Sequence, residues 1–209
     1  MGKKIKKIKI GLDFDGVVAY NPFRVVRAPW AFFKNRFLGY KKLVFFYPRN
    51  TWQQVFWRIL HDSSIFPSKG VNLLRQLVKE GKFEAHLISG RYSFLDDQLN
   101  SWLKKNKLEG IFTTININRK DEQPHLFKKS MIAKRKLDFF IEDNWDIVEF
   151  LHNVHGEKTK IYWIYNLLDR HRVHKNKFPY LEMALVDIVE VTMSQSNIHS
   201  RRQRGIKEK

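Results

Sequence analysis

Cysteine is absent from all 209 residues, so disulfides, thiolate catalysis and cysteine-type zinc sites are excluded. A reducing, cytoplasmic setting fits that absence. No apolar run approaches the roughly 18 residues of a membrane span, and no transmembrane helix is expected. Lysines followed by IKIGL give the N-terminus the outline of a signal peptide. Asp13 and Asp15 interrupt the apolar stretch, so the start reads as a strand with a basic leader. No Gly/Ser-rich linker divides the chain and no internal repeat is visible, which suits one domain with a small insertion.

Acidic residues are also scarce. There are 21 Asp+Glu against 39 Lys+Arg, a formal charge of +18. Charge of that sign favours anionic partners such as phosphate esters or nucleic acid, or serves as a solubilising surface. The scarcity makes GLDFDGVV (residues 11–18) conspicuous. It places Asp13 and Asp15 at the end of an apolar strand, just after five lysines within the first nine positions.

What is present is a core-sized hydrophobic content of 43%, arranged as strands alternating with helices. Strands are predicted at Ile8–Leu12, at FEAHLISGR (83–91), at IFTTINI (111–117), at LDFFIEDN (137–144) and at KIYWIYN (160–166). A helix is predicted in PSKGVNLLRQLVKEGK, opened by Pro67 and ended by Gly81, with further helices near 95–105, 125–136, in IVEFLHN, and near 181–193. Such alternation implies crossover connections and a mostly parallel sheet. Residues 19–66 differ: rich in aromatic and basic side chains, with prolines at 22, 29 and 48, they read as a short helical insertion.

Three predicted strands end in polar residues: Asp13-x-Asp15, Ser89-Gly90-Arg91 and Glu142-Asp143. Ligands of an open parallel sheet bind outside the carboxyl ends of its strands, so the three clusters should converge on one edge. Crowded carboxylates raise one another's pKa unless a cation lies between them. Mg2+ takes carboxylate oxygens together with substrate phosphate. One carboxylate there can act as a nucleophile toward phosphorus, and a second, two residues on, as a general acid and base. Ser89 and the turn after it offer donors to phosphate oxygens, and a nearby lysine would offset phosphoryl charge. Taken singly, each feature has a plainer explanation: a turn, a solvated lysine, or a helix N-cap supplied by Asp143 or Asn144.

At these residues the chain resembles the haloacid dehalogenase (HAD-like) superfamily of phosphotransferases, over roughly residues 8–166. LDFDGVV is similar to the first motif of that superfamily, LISGR to the second, Lys128 to the third and IEDN to the fourth. The resemblance implies an α/β fold: a three-layer Rossmann-like parallel sheet with a small helical cap inserted after the first strand. Residues 1–18 and 67–195 would form the core, 19–66 the cap, and 196–209 a basic, flexible tail. It implies an Mg2+-dependent phosphomonoester hydrolase. Asp13 would be the nucleophile and a metal ligand, and Asp15 the acid/base that also gives its carbonyl to the metal. Ser89 and Gly90 would bind phosphate, as would a lysine: Lys128, its neighbour Lys129, or Lys134 in the same helix. Asp143 would complete the metal site, with Glu142 as an alternative ligand or a supporting neighbour.

YWIYNLLDRHRV (162–173) resembles the deoxyribonucleotidase-like branch, which points toward a nucleotide among phosphorylated small-molecule substrates. In the insertion, Trp30, Phe32, Phe33, Phe37, Phe45, Phe46, Trp52, Phe56 and Trp57 could stack on a base or form the cap's own core. Arg24, Arg27 or Arg49 could meet additional phosphate. The alternative function is a nucleic-acid-binding protein, or a polynucleotide-end phosphatase, on the same fold.

Overall fold

A computed structural model describes residues 7–21, 43–62, 64–166 and 169–207, with side chains described as far as residue 194. Its centre is a six-stranded sheet in the order β5-β4-β1-β6-β7-β8. The strands are β1 (Ile8–Leu12), β4 (Phe83–Tyr92), β5 (Thr114–Asn118), β6 (Phe139–Glu142), β7 (Lys160–Ile164) and β8 (Lys177–Phe178). Every neighbouring pair is parallel.

A parallel sheet must bury both faces, and the side-chain alternation of these strands shows how. Phe139 and Ile141 of β6 join one apolar cluster, whereas Phe140 joins the other. In β7, Tyr162 and Ile164 face the first cluster, and Ile161 and Trp163 the second. The first face is covered by α2 (Val71–Lys79), α3 (Asp96–Lys105) and α6 (Leu181–Lys207) through Leu74, Leu77, Leu99, Leu103, Leu185 and Ile188. The second is covered by α4 (Pro124–Arg135) and α5 (Trp145–His155) through Phe127, Ile132, Ile147, Val148 and Leu151. The result is the expected three-layer α/β arrangement.

The chain leaves β1, runs outward through β4 to β5, and then returns to place β6 on the other side of β1. The direction of strand order therefore reverses between β1 and β6, which in open α/β sheets marks the ligand crevice. A second, two-stranded sheet pairs β2 (Ala19–Tyr20) with β3 (Phe66–Pro67) in antiparallel fashion. It pinches together the two ends of the insertion, whose described part holds α1 (Thr51–Asp62).

Several boundaries differ from expectation. Pro67 closes β3 and does not open a helix. Ser68 donates its backbone N–H to Val18 and its hydroxyl to Val17, so the chain stays extended until Gly70, at φ 111°, caps α2. The strand expected from residue 111 begins at Thr114, because residues 109–111 form a 3-10 turn. The C-terminal helix expected near residues 181–193 continues to Lys207, into the segment expected as a tail. β2, β3 and β8 are two residues each, too short to show a period in sequence. No described helix is long and apolar enough to cross a membrane.

Candidate functional site

Asp13 follows β1 directly, and its backbone N–H continues the ladder by donating to Ile141 of β6 at 3.0 Å. The nucleophile candidate is thereby set against the strand that ends in Glu142. Past Asp13 the chain folds into a tight turn in which Gly16 N–H donates to Ala19 at 2.8 Å. Gly16 has φ 82°, a conformation open to glycine at little cost. The turn brings Asp15 back toward the sheet edge.

β6 delivers Glu142 and Asp143. Asn144 ends the loop by accepting from the N–H groups of Asp146 and Ile147 at 3.0 and 3.4 Å. The N-cap of α5 is therefore Asn144, and Asp143 is not used for capping. The indole N–H of Trp163 donates to the Asp143 carbonyl at 3.2 Å and anchors the loop.

α4 delivers the lysine. Its N-terminal Pro124 packs on Gly90, where an added Cβ would lie 2.9 Å from Pro124 Cβ and 3.4 Å from Lys128 Cε. Gly90 thus lets α4 approach the end of β4 closely enough for Lys128 to reach the carboxylates. Lys128 Nζ lies 3.0 Å from Asp13 Oδ1 and 2.7 Å from Glu142 Oε2. Lys129 does not take part: it is exposed, since one residue further along a helix turns its side chain about 100° away. Lys134 is exposed as well.

The six converging side chains are all buried. Asp13, Asp15, Ser89, Lys128, Glu142 and Asp143 are each no more than 7% exposed. Carboxylate oxygens of Asp13, Glu142 and Asp143 lie within 4.8 Å of one another. Burial, reinforced by Asp143 and Asp15 and opposed by Lys128, pushes Asp13 up to about 6. Burial and the Asp13 charge push Glu142 up to about 8 despite Lys128. Burial works against the charge on Lys128, but Asp13 and Glu142 together outweigh it and hold its pKa above the usual lysine value.

This charge pattern fits a divalent cation. Asp13, Asp15, Glu142 and Asp143 carry four negative charges when ionised, and Lys128 and Arg91 return two positive ones. An oxygen-only donor set with a residual charge of two suits Mg2+. Glu142 is already engaged on both oxygens. Oε2 takes Lys128, and Oε1 accepts from the N–H groups of Asp143 and Asn144 at 3.2 and 3.1 Å.

Two residues of the site were given no role in the reading of the sequence. Arg91 grips Asp15 through Nε to Oδ2 at 2.8 Å and Nη2 to Oδ1 at 2.7 Å. Ser64 Oγ donates to the same Oδ1 at 2.8 Å. Arg91 was expected at this edge with Ser89 and Gly90, but its pairing with Asp15 was not. Ser64 carried no local signal.

The described part of the insertion lies against this edge. The side-chain amide of Gln123 accepts from Phe45 N–H at 2.7 Å and donates to the Phe45 carbonyl at 3.2 Å. Tyr47 donates its hydroxyl to Asp121 at 3.1 Å and meets Tyr92 edge-on at 4.9 Å. Of the aromatics expected to stack on a base or fill a cap core, Phe45 packs beside His125 and Trp57 beside Phe46. Phe46, Trp52 and Phe56 are exposed. Trp30, Phe32, Phe33, Phe37, Arg24 and Arg27 lie outside the described residues.

The order of strands and the layering define the haloacid dehalogenase fold. Solved structures share it at low identity. The chain is similar to a protein from Thermotoga maritima assigned as a beta-phosphoglucomutase, with TM-score 0.55 and 15% identity over 88% of this chain and 99% of that one. It is similar to YfnB from Bacillus subtilis, assigned as a HAD-hydrolase and bound to magnesium, with TM-score 0.54 and 11% identity over 88% and 100%. CbbY from Rhodobacter sphaeroides, in complex with phosphate, matches with TM-score 0.51 and 10% identity over 85% and 96%. No protein-family model and no curated protein matches the sequence.

Proposed function

We propose that the chain is a phosphomonoester hydrolase that works through an aspartyl-phosphate on Asp13. The observation that carries this reading is the placement of Asp13 between Lys128, at 3.0 Å, and the Glu142–Asp143 pair, with Asp15 and Ser89 buried at the same edge. An Asp13 carboxylate oxygen attacks phosphorus as the bond to the ester oxygen breaks, and Asp15, which carries a proton when the ester is bound, gives it to that oxygen. Asp15, now ionised, takes a proton from water. The water oxygen bonds to phosphorus, the acyl-phosphate bond breaks, and Asp13 and inorganic phosphate are regenerated. Ser89 and the backbone at Gly90 hold phosphate oxygens, and Lys128 offsets the charge that spreads over the transferring group. Asp13 and Asp143, with the Asp15 carbonyl, would hold Mg2+, and Glu142 would act as counter-ion to Lys128. Bound there, the ion supplies positive charge against the phosphoryl oxygens.

In this reading, residues 19–66 are a cap over the core and select the substrate, a phosphorylated small molecule. The magnesium in YfnB and the phosphate in CbbY support the chemistry. The test is phosphate release from sugar phosphates, nucleoside monophosphates and 3'-phosphorylated oligonucleotides, with Mg2+ and with EDTA, for wild type and Asp13→Asn. Release that needs Mg2+ and disappears in Asp13→Asn is expected. A preference for nucleoside monophosphates supports a nucleotidase, and a preference for the oligonucleotide a polynucleotide-end phosphatase. Release unchanged in Asp13→Asn would overturn the mechanism.

A further inference from the structure

Asp15 is held on three sides. Arg91 takes both carboxylate oxygens at 2.7 and 2.8 Å, and Ser64 donates to Oδ1 at 2.8 Å. The guanidinium is itself fixed. Its Cζ lies over the Phe14 ring, 4.6 Å from the centroid, and Nη2 also donates to the His61 carbonyl at 3.2 Å. His61 is in the last turn of α1, and Ser64 follows that helix. The Asp15 carboxylate is therefore tied simultaneously to the end of β4 and to the end of α1.

Stability alone is a poor reason for this pair. The Arg91 and Asp15 side chains are 3% and 10% exposed. Replacing a buried ion pair by apolar groups is often neutral or stabilising. A carboxylate gripped on both oxygens cannot rotate about its last bond, so the pair fixes direction. Only a planar fork of donors does this; a lysine supplies a point charge. The site's carboxylates are also largely withdrawn from solvent, the condition in which fixed dipoles and charges act most strongly.

We propose that Arg91 is the positioning residue for Asp15, and that through His61 and Ser64 it couples the aim of Asp15 to the seating of α1 on the core. The inference rests on the phosphatase reading above, in which Asp15 protonates the leaving oxygen. An Asp15 that is present but misdirected fails most where the leaving oxygen most needs a proton. Loss of Arg91 should therefore weigh on alkyl phosphates far more than on aryl phosphates, whose phenolate leaves without one.

The test compares full-length wild type, Arg91→Ala, Arg91→Lys and Ser64→Ala on an alkyl phosphate and on p-nitrophenyl phosphate. Hydrogen exchange across residues 57–66 is measured alongside. Arg91→Ala should lower kcat on the alkyl ester about a hundredfold, within the usual range for general acid catalysis, and on the aryl ester less than tenfold. Added guanidinium ion, well below denaturing concentrations, should restore part of the alkyl rate. Arg91→Lys should behave like Arg91→Ala, and exchange in residues 57–66 should rise in both. Ser64→Ala should show the same leaving-group bias, more weakly. Equal loss on both esters, or unchanged exchange in residues 57–66, overturns the role of Arg91 while leaving the phosphatase reading intact. A wild type inert toward every ester overturns both.

Discussion

Lys128 Nζ lies 2.7 Å from Glu142 Oε2, and the carboxylate has no exposure to solvent. Glu142 gains its remaining donors from two backbone N–H groups of the loop that carries Asp143. The lysine thus joins α4 to the end of β6 and also neutralises Asp13. Removing one member of a buried charged set costs more than removing the set, because the rest stay buried without compensation. Lys128→Met should destabilise the metal-free protein by about 3–5 kcal/mol. Lys128→Met combined with Glu142→Gln should recover part of that loss. Urea denaturation of both variants in EDTA checks this, and a double variant less stable than Lys128→Met would contradict it.

The same carboxylates should make metal-free stability depend on pH. Asp13 and Glu142 are raised in the fold, to about 6 and about 8, from ordinary values of 3.8 and 4.5. The native state therefore holds protons that the unfolded chain has released. The stability that these two groups contribute must fall as pH rises through that window. Measured against Glu142→Gln, the unfolding free energy of wild type in EDTA should decline toward pH 8 with a slope of up to about one proton. His86, His125 and His174, lowered by burial, act in the opposite sense near pH 6. Mg2+, which favours the ionised carboxylates, should flatten the curve at its alkaline end. Glu142→Gln should remove the part of the slope between pH 6 and pH 8. A Glu142→Gln variant with the same pH dependence as wild type would show that Glu142 ionises normally.

Five of the six strands of the central sheet were legible because each is a short run of mostly apolar residues stopped by polar ones; Glu142 ends β6 as read, whereas β4 runs on past Ser89 to Tyr92. Which lysine reaches the site was not legible. Lys128 and Lys129 are adjacent, and only the helix phase set by Phe127 and Ile132 in the core turns one inward. Arg91–Asp15 and Ser64–Asp15 join residues 76 and 49 positions apart, and no local pattern encodes such pairs. Pro67 was misread for a related reason. Proline suits both the first helical turn and a short edge strand, and pairing with Ala19 across the insertion decides for the strand.

Gly90 offers a test of how tightly α4 must pack. A methyl group there would meet the rigid ring of Pro124 at 2.9 Å, so α4 has to move off β4. Overpacking of that kind costs typically about 1–3 kcal/mol. The displacement also withdraws Lys128 from Asp13. Gly90→Ala should lose about that much stability and at least about tenfold in kcat, since small misplacements of catalytic groups are expensive. The decisive comparison is Ser130→Ala, on the exposed side of the same helix, which should leave kcat unchanged. A Gly90→Ala enzyme of normal kcat would mean that α4 tolerates the shift.

Gln123 joins the two halves of the site from the other side. It precedes Pro124 at the start of α4, yet its side chain does not cap the helix. It binds both the N–H and the carbonyl of Phe45, so the insertion is fastened to the helix that carries Lys128. Two residues earlier, Asp121 accepts from Tyr47, from Ser93 N–H and from the Ser93 hydroxyl, at 3.1, 2.7 and 2.9 Å. Each neutral Gln123 bond contributes about 1 kcal/mol net and each bond to the Asp121 carboxylate about 1.5–3 kcal/mol, a modest fraction of global stability but a large one for the docking of one segment. Gln123→Ala should therefore raise hydrogen exchange across residues 43–49 well before it lowers the urea midpoint appreciably. Asp121→Ala should raise exchange there too, with a larger midpoint loss because Ser93 also loses its acceptor. KM should rise in both variants while kcat changes less, since Asp13, Asp15 and Lys128 keep their partners. A parallel fall in kcat and midpoint, with no selective rise in exchange, would show that these bonds stabilise the core and do not fasten the insertion.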